Sequence, residues 1–266
     1  MKEDIARERA KLTDSKVIDV RTLQNSHKRL SEIITEGFTI LDVGCGTGAI
    51  NSGMAEAVGE KGKVFGVDNN PEFIEAANEK YKDVSHLTFE EADIYHLPFE
   101  NTFDVVTSAR VLQWLEQPEQ ALKNMVKATK KGGKVIVLDY NHEKILWEPE
   151  IPNSMKVFYD AFLKWRQDAG MDNKIADNLS SMFKKAGLDD VLVTDQSEKT
   201  QVNDSDFQKY ISLWKTVAMT RGQVMVEEGY IKEKDRQTAI TEFDYWIKND
   251  AISQTMYLLA VEGTKK

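Results

Sequence analysis

The glycine-rich segment Leu41–Gly48, which reads Leu-Asp-Val-Gly-Cys-Gly-Thr-Gly, constrains the fold more than any other part of the chain. The apolar run Thr39–Val43 predicts a strand that leads into it, and Ala49–Val58 predicts the helix that follows. Glycines at such a junction allow backbone N–H groups to approach a ligand closely. Taken alone, the pattern also fits a purely structural turn.

Strands and helices alternate after this loop. Further strands are predicted at Lys63–Val67, Leu87–Glu90, Phe103–Thr107, Lys134–Asp139, Asp190–Thr194 and Met256–Val261. Helices are predicted at 1–36, Pro71–Tyr81, Pro118–Thr129, Met155–Ala169 and Ile175–Ala186, with a turn at Lys130–Gly133 and a loop at 141–154. Apolar stripes beginning at Phe207 and Ile240 predict more helices. This alternation predicts an α/β fold with a parallel sheet covered by helices on both faces.

Composition limits the class of protein. The chain has 35 Lys and Arg against 44 Asp and Glu, a net charge of −9, which disfavours nucleic acid as the main partner. Cys45 is the only cysteine, so no intramolecular disulfide can form and a reducing compartment is expected. No stretch approaches the ~20 apolar residues of a membrane span. We therefore expect a cytoplasmic protein without a membrane span.

Three acidic residues stand at or just past predicted strand ends. Asp42 lies two residues before the first glycine, where a carboxylate opposes a pyrophosphate but suits the ammonium group of a methionine moiety. Asp68 ends the second strand, where a carboxylate can bind both ribose hydroxyls; a helix cap is the alternative. Asp93 follows the third strand and can accept from an adenine amino group, or it is an ordinary loop acid.

These segments, in this order, resemble the class I S-adenosylmethionine (SAM)-dependent methyltransferases. The matching stretches are Leu41–Gly48, Val64–Asp68, Ala92–Ile94 before Leu97–Phe99, Phe103–Val106 and Lys131–Val135. The resemblance is closest to small-molecule enzymes of the ubiquinone/menaquinone-biosynthesis type. It covers residues 39–140 tightly and 175–200 loosely. It implies a Rossmann-like sheet of seven strands, mostly parallel with the last one antiparallel, helices on both faces and an added helical lid.

The resemblance also implies a division of the chain. The expected parts are an N-terminal helical cap (1–38), a SAM-binding core (39–140), a helical lid segment (141–172), a continuation of the core (173–200), a helical lid insertion (201–252), and a final core strand and tail (253–266).

The cofactor implied is SAM, with S-adenosylhomocysteine as product. The residues expected to contact it are Asp42, Gly44, Cys45, Gly46, Gly48, Asp68, Asn69, Asp93, Ile94, Ala109 and Arg110. Asn69 is expected beside the adenine and Ile94 at its edge, whereas Ala109 and Arg110 are expected to line the sulfonium side. Arg110 departs from the small or polar residue expected there. It holds either an anionic acceptor or a surface carboxylate.

Methyl transfer from a sulfonium is an in-line displacement that depends mainly on alignment, so the absence of a catalytic motif is unsurprising. His142 and Tyr140 follow the fifth strand, and His142 could act as a general base or be an exposed or capping histidine. His27 lies on the predicted N-terminal helix that could cap the cofactor, and it is a candidate substrate contact, with a place in the core as the alternative. Trp147 and Trp165 fall off the apolar stripes and are candidates for a substrate wall, with core packing as the alternative.

A lid of this size predicts a small or medium organic acceptor rather than a flat polymer. We also expect a monomer or homodimer. Two alternatives stay open: a nicotinamide-dependent oxidoreductase, which does not explain Asp42, and a non-catalytic SAM-binding module. DNA base methylation is disfavoured, because the fourth strand runs into Ser108-Ala109-Arg110 without an Asn-Pro-Pro-Tyr motif. No His, Cys or Asp cluster has metal-ligand spacing, so no metal is expected.

Overall fold

The computed structural model describes residues 2–11 and 15–266, so part of the predicted helical segment 1–36 lies outside the described residues. Within them the chain forms ten strands: β1 (Thr39–Val43), β2 (Lys63–Asp68), β3 (Leu87–Glu91), β4 (Phe103–Ala109), β5 (Thr129–Tyr140), β6 (Leu146–Glu148), β7 (Leu188–Asp195), β8 (Glu198–Gln201), β9 (Ser253–Met256) and β10 (Leu258–Lys265).

Helices surround these strands. The described helices are α1 (Lys2–Ala10), α2 (Lys16–Asp19), α3 (Leu23–Ser26), α4 (Lys28–Ile33), α5 (Asn51–Val58), α6 (Pro71–Lys80), α7 (Pro118–Ala128), α8 (Asn153–Asp168), α9 (Ile175–Lys185), α10 (Phe207–Ile211), α11 (Leu213–Met219), α12 (Arg221–Glu227) and α13 (Glu233–Asn249). Short 3₁₀ turns occur at Ile94–His96, Leu112–Trp114 and His142–Lys144. In the described part of the predicted N-terminal helical region, the chain forms four short helices, α1 to α4.

The main sheet has seven strands in the order β3-β2-β1-β4-β5-β10-β7. The five strands from β3 to β5 are parallel, and β10 runs antiparallel to both of its neighbours. The predicted fold, a mostly parallel seven-stranded sheet whose last strand is antiparallel, is confirmed. Because the connection changes direction between β1 and β4, a crevice opens beyond the carboxyl ends of these strands, where α/β sheets bind ligands.

Continuous apolar burial explains why the central strands form where they do. Ile40, Leu41, Val105 and Val106 are all fully buried, although neighbouring residues of a strand face opposite sides of the sheet. A strand covered on both faces therefore reads as an uninterrupted apolar run, which is typical of parallel sheets with helices on each side.

A second sheet, of three strands in the order β6-β9-β8, was not predicted. The segment 141–154, predicted as a loop, contains a 3₁₀ turn and β6, whose three residues are too few to show a periodic pattern. The predicted last strand, Met256–Val261, is divided between β9 and β10, which belong to different sheets. The predicted turn Lys130–Gly133 is part of β5 and lies at an irregularity in its pairing with β4.

The helices after β5 pack around an aromatic cluster. Tyr159 and Phe162 of α8 meet Trp214 of α11 with ring centroids 4.7 and 5.4 Å apart. Edge-to-face aromatic pairs of this kind contribute about 0.5–1.5 kcal/mol each beyond the area that they bury. This cluster is continuous with Leu138 and Tyr140 of β5, so the late helices are fixed to the sheet. None of the described helices is both long and apolar enough to cross a membrane.

Candidate active site

A cavity of about 1140 Å³ lies beyond the carboxyl ends of β1, β2, β3 and β4. Every residue predicted to contact the cofactor lines it except Gly48. The N-terminal segment forms its roof and contributes Ala6, Arg7, Ile18 and Arg21. The structure therefore brings together residues from four strand ends and from an N-terminal part of the chain in which the sequence analysis singled out only His27.

The glycine loop after β1 has the backbone conformations that only glycine adopts readily. Gly44 and Gly46 have φ angles of +80° and +56°. A Cβ atom on Gly44 would lie 2.3 Å from the Val111 side chain, and one on Gly46 would lie 2.7 Å from Ile18. Gly48 serves a different purpose, because a Cβ there would lie 2.5 Å from the ring of Phe89, so Gly48 allows helix and strand to pack closely.

Asp68 holds this loop in place. Its Oδ2 accepts a hydrogen bond from the Gly46 N–H at 2.9 Å, and its Oδ1 accepts one from the Asn70 N–H at 3.0 Å. Burial raises the pKa of Asp68, against these hydrogen bonds. The helix cap proposed as its alternative role belongs instead to Asn70, whose Oδ1 accepts from the N–H groups of Glu72 and Phe73 at the start of α6.

Asp42 lies at the floor of the cavity with 4% of its surface exposed. Burial, together with the nearby negative charge of Asp68, raises the pKa of Asp42 to about 7. A buried carboxylate without a cation is costly, so a positively charged group placed beside Asp42 would be strongly favoured.

Asp93 marks the opposite end of the cavity. Its Oδ1 accepts from the Tyr95 N–H at 2.9 Å, which caps the 3₁₀ turn, and its Oδ2 pairs with Arg7 Nη2 of α1 at 2.8 Å. These hydrogen bonds outweigh partial burial and lower the pKa of Asp93. The Arg7 guanidinium also lies 5.1 Å from the Tyr95 ring centroid. The helix α1 is thereby attached over this end of the cavity.

Arg110 ends β4 with a φ angle of +64° and a side chain that is 3% exposed. Its Nε donates to the Tyr140 hydroxyl at 2.8 Å, its Nη1 to the Ser26 carbonyl oxygen at 3.1 Å, and its Nη2 to Glu198 Oε1 at 2.5 Å. The Tyr140 hydroxyl donates to the other oxygen of Glu198 at 3.0 Å. Arg110 therefore binds a partly exposed carboxylate, as one of its two predicted roles requires.

The two histidines singled out by sequence are buried outside the cavity lining. His142 Nε2 lies 2.6 Å from Gln113 Oε1, and burial lowers the pKa of His142, so it is neither exposed nor a cap. His27 Nε2 lies 3.1 Å from Thr107 Oγ1, and burial, with the charge of Arg110, lowers the pKa of His27 to about 3. Both rings are uncharged at neutral pH and belong to the core.

The two tryptophans also lie away from the cavity lining. The expectation that Trp165 falls off the apolar stripe is wrong: it lies on the buried face of α8, stacked on Phe162 at 6.0 Å, and its Nε1 donates to Glu228 at 2.9 Å. Trp147 is half-buried, with Nε1 donating to Gln254 at 2.9 Å and its ring 5.2 Å from that of Tyr159. Core packing describes both better than a substrate wall.

The sequence patterns did not identify the N-terminal residues that cover the cavity. Asp19 accepts a hydrogen bond from the Thr47 hydroxyl at 2.5 Å, and Ile18 covers Gly46. Such contacts join segments far apart in the chain and leave no local pattern. In the part of the chain that the structure describes, no group of three or more His, Cys, Asp and Glu side chains could hold a metal ion.

The sheet order, the glycine loop and the acids at successive strand ends define a class I methyltransferase fold and site. A family model described as a methyltransferase domain matches residues 34–187, and the chain belongs to this family. The predicted class, a SAM-dependent methyltransferase, is confirmed. A nicotinamide-dependent oxidoreductase and a non-catalytic module are not supported.

Relatives agree with this assignment. A demethylmenaquinone methyltransferase of Anoxybacillus flavithermus is 30% identical over 184 residues, or 64% of this chain and 77% of that protein. One of Alkalihalophilus pseudofirmus is 33% identical over 172 residues, or 59% and 73%. Phosphoethanolamine N-methyltransferase 2 of Haemonchus contortus, solved with phosphomonomethylethanolamine and S-adenosylhomocysteine, shares the fold, with a TM-score of 0.58 at 17% identity. That match covers 100% of this chain and 60% of the other.

Proposed function

We propose that the cavity binds SAM along the strand ends and presents its methyl group to a small or medium organic acceptor near the end of β4. The observation that carries this proposal is the placement of Asp42, Asp68 and Asp93 along one cavity. In this arrangement Asp42 binds the ammonium group, Asp68 the ribose hydroxyls and Asp93 the adenine amino group. Gly44 to Gly46 pass the methionine end, and Asn69, Ile94 and Ala109 complete the contacts.

The charges of the cavity favour this ligand over a dinucleotide. A pyrophosphate beside the glycine loop would face two carboxylates, Asp42 and Asp68. These two are close to each other, since the negative charge of Asp68 contributes to the raised pKa of Asp42. A methionine moiety places a positive ammonium group there instead. The backbone N–H of Gly46 is already bonded to Asp68, so it is not free for a phosphate oxygen.

The protein contributes mainly alignment to the reaction. SAM supplies a methyl group on a sulfonium, which is an activated leaving group. Holding two reactants in line lowers the barrier by up to about 7–11 kcal/mol in favourable cases. His142 and His27 are buried elsewhere, so neither is positioned to take a proton from an acceptor in the cavity. Arg110 lines the cavity at the end of β4, and its side chain is held there by Tyr140 and Glu198.

The relatives named demethylmenaquinone methyltransferase support a small-molecule acceptor. A monomer or homodimer, a cytoplasmic location and the lack of a nucleic acid partner stay predictions from the sequence.

Two measurements test the proposal. Calorimetry should show binding of SAM and S-adenosylhomocysteine and none of NAD. Methyl transfer from labelled SAM should then appear with members of a panel of small metabolites, including quinols, phenols and amines. Transfer to tRNA or protein alone would contradict the proposed acceptor class, and the absence of SAM binding would contradict the proposal as a whole.

A further inference from the structure

Arg21 is a cavity residue that the proposed function does not use. It follows α2, and its backbone N–H donates to the Ile18 carbonyl oxygen at 3.1 Å. The position of this segment is fixed, because Ile18 packs on Gly46 and Asp19 is bonded to Thr47. Arg21 is half-buried and lines the cavity, as Arg110 does, and the two arginines are close enough for their charges to repel each other.

The guanidinium of Arg21 has no counter-ion within salt-bridge distance among the residues that the structure describes. None of these described residues forms a hydrogen bond with it either. The other arginine of this region, Arg110, is satisfied by Glu198, Tyr140 and Ser26. Burial and repulsion by Arg110 lower the pKa of Arg21 to about 10, so it is still charged at neutral pH.

The carboxyl groups near Arg21 do not neutralise the combined positive charge of Arg21 and Arg110. Glu198 is committed to Arg110. Asp139 is fully buried between Arg110 and Arg166, and burial raises its pKa to about 7, so it is only partly ionised at neutral pH. The rest of the cavity is acidic, with Asp42 and Asp68 near the loop and Asp93 already paired with Arg7. This corner is therefore the positively charged part of an otherwise acidic cavity.

We propose that Arg21, with Arg110 beside it, forms an anion-binding corner that receives a carboxylate or a similar small anion from a bound ligand. The inference rests on the proposed function, because it assumes that SAM occupies the cavity. A planar guanidinium suits such a group, since it can donate two parallel hydrogen bonds. The anion has two possible sources: the α-carboxylate of SAM, on the same carbon as the ammonium group assigned to Asp42, or an anionic group of the acceptor.

The first arm of the test compares two cofactor fragments by calorimetry. S-adenosylhomocysteine carries the amino-acid carboxylate, whereas 5′-methylthioadenosine has the same nucleoside and thioether without it. If SAM is the source, Arg21→Gln should weaken S-adenosylhomocysteine binding about ten- to hundredfold, the scale of a charge-assisted hydrogen bond. It should leave 5′-methylthioadenosine binding unchanged, which also shows that the cavity is intact. Arg21→Lys, which keeps the charge, should fall between Arg21→Gln and the unaltered protein.

Arg7→Gln is the matched control, because Arg7 lines the same cavity but is paired with Asp93 at the other end. It should change the affinities of both fragments by the same factor, since both carry the adenine. Loss confined to S-adenosylhomocysteine in Arg21→Gln therefore separates the anion-binding corner from a general disturbance of the roof.

The second arm tests the acceptor as source. The unaltered protein saturated with S-adenosylhomocysteine is titrated with benzoate and with phenyl phosphate. If the acceptor supplies the anion, at least one probe binds this complex, the same probe fails to bind the Arg21→Gln complex, and S-adenosylhomocysteine affinity is unchanged. Arg21→Gln behaving like the unaltered protein in both arms would overturn the inference. Failure of the unaltered protein to bind S-adenosylhomocysteine would contradict the proposed function instead.

Discussion

The backbone N–H of Gly46 donates a hydrogen bond to Asp68 Oδ2 at 2.9 Å, which joins the glycine loop after β1 to the end of β2. Asp68 thus has two tasks: it fixes the loop, and it faces the cavity where we place the ribose. In the proposed binding mode, one carboxylate therefore couples the shape of the glycine loop to recognition of the ribose.

Replacing Asp68 should therefore weaken cofactor binding through both tasks. We expect Asp68→Ala to cost ~1.5–3 kcal/mol of SAM binding free energy, the scale of lost charge-assisted hydrogen bonds. Asp68→Asn keeps the size of the side chain and an acceptor for the Gly46 N–H, so it should lose less. Calorimetric titration measures both, and unchanged affinity in Asp68→Ala would mean that the ribose is bound elsewhere.

Asp42 should make SAM binding pH-dependent. Its pKa is raised to about 7, and the ammonium group of SAM requires the ionised form. Affinity should therefore be highest above pH 7 and fall about tenfold for each unit below it. Asp42→Asn should bind SAM weakly and without this dependence. An affinity of the unaltered protein that is constant from pH 8 to pH 5.5 would contradict the assignment.

The raised pKa of Asp42 also predicts how the stability of the unliganded protein depends on pH. The folded pKa of Asp42 lies above its usual value, so its ionisation opposes folding as the pH rises from about 4 to 7. At pH 8, Asp42→Asn should therefore melt at a higher temperature than the unaltered protein without ligand. Addition of SAM should reverse the order, because the ammonium group compensates the carboxylate.

Gly48 and Gly132 form a matched pair for testing close packing at the loop. Both have a φ angle of +75°, but a Cβ on Gly48 would lie 2.5 Å from Phe89, whereas one on Gly132 has nothing within 4 Å. Gly132→Ala should cost only the backbone strain, about 1–2 kcal/mol. Gly48→Ala should cost a further ~1–3 kcal/mol from overpacking. Urea unfolding measures the difference, and equal losses would contradict the packing role of Gly48.

His27 should reduce stability in mild acid. The pKa of His27 is about 3 in the folded protein, against a usual value of 6.5. As the pH falls below 6.5, the unfolded chain therefore binds a proton at His27 and the folded protein does not. Between pH 7 and pH 5 this difference removes about 2 kcal/mol of unfolding free energy. His27→Gln should lose correspondingly less over that interval. Parallel pH profiles of the two proteins would show that His27 does not titrate as its burial requires.

The sheet could be predicted because its strands are buried on both faces and read as continuous apolar runs, as Ile40 and Val105 illustrate. Most of the residues predicted to contact the cofactor line the cavity, because they follow strand ends at spacings set by the fold. The placement of the N-terminal roof was not, since contacts such as Thr47 with Asp19 join distant segments. Trp165 and His142 were candidates for the site because the sequence does not show that they are buried. Their ring nitrogens have hydrogen-bond partners distant in sequence, and no local pattern reveals such partners.

The position of β10 between β5 and β7 determines when the sheet can be completed during synthesis of the chain. The strand β7 is synthesised about 70 residues before β10, yet among the described strands it pairs with the sheet through β10 alone. Until this last strand emerges, the edge of β5 stays open and β7 has no partner in the sheet. Completion of the sheet is therefore a late step, and removal of β10 should release β7 while leaving the parallel strands paired.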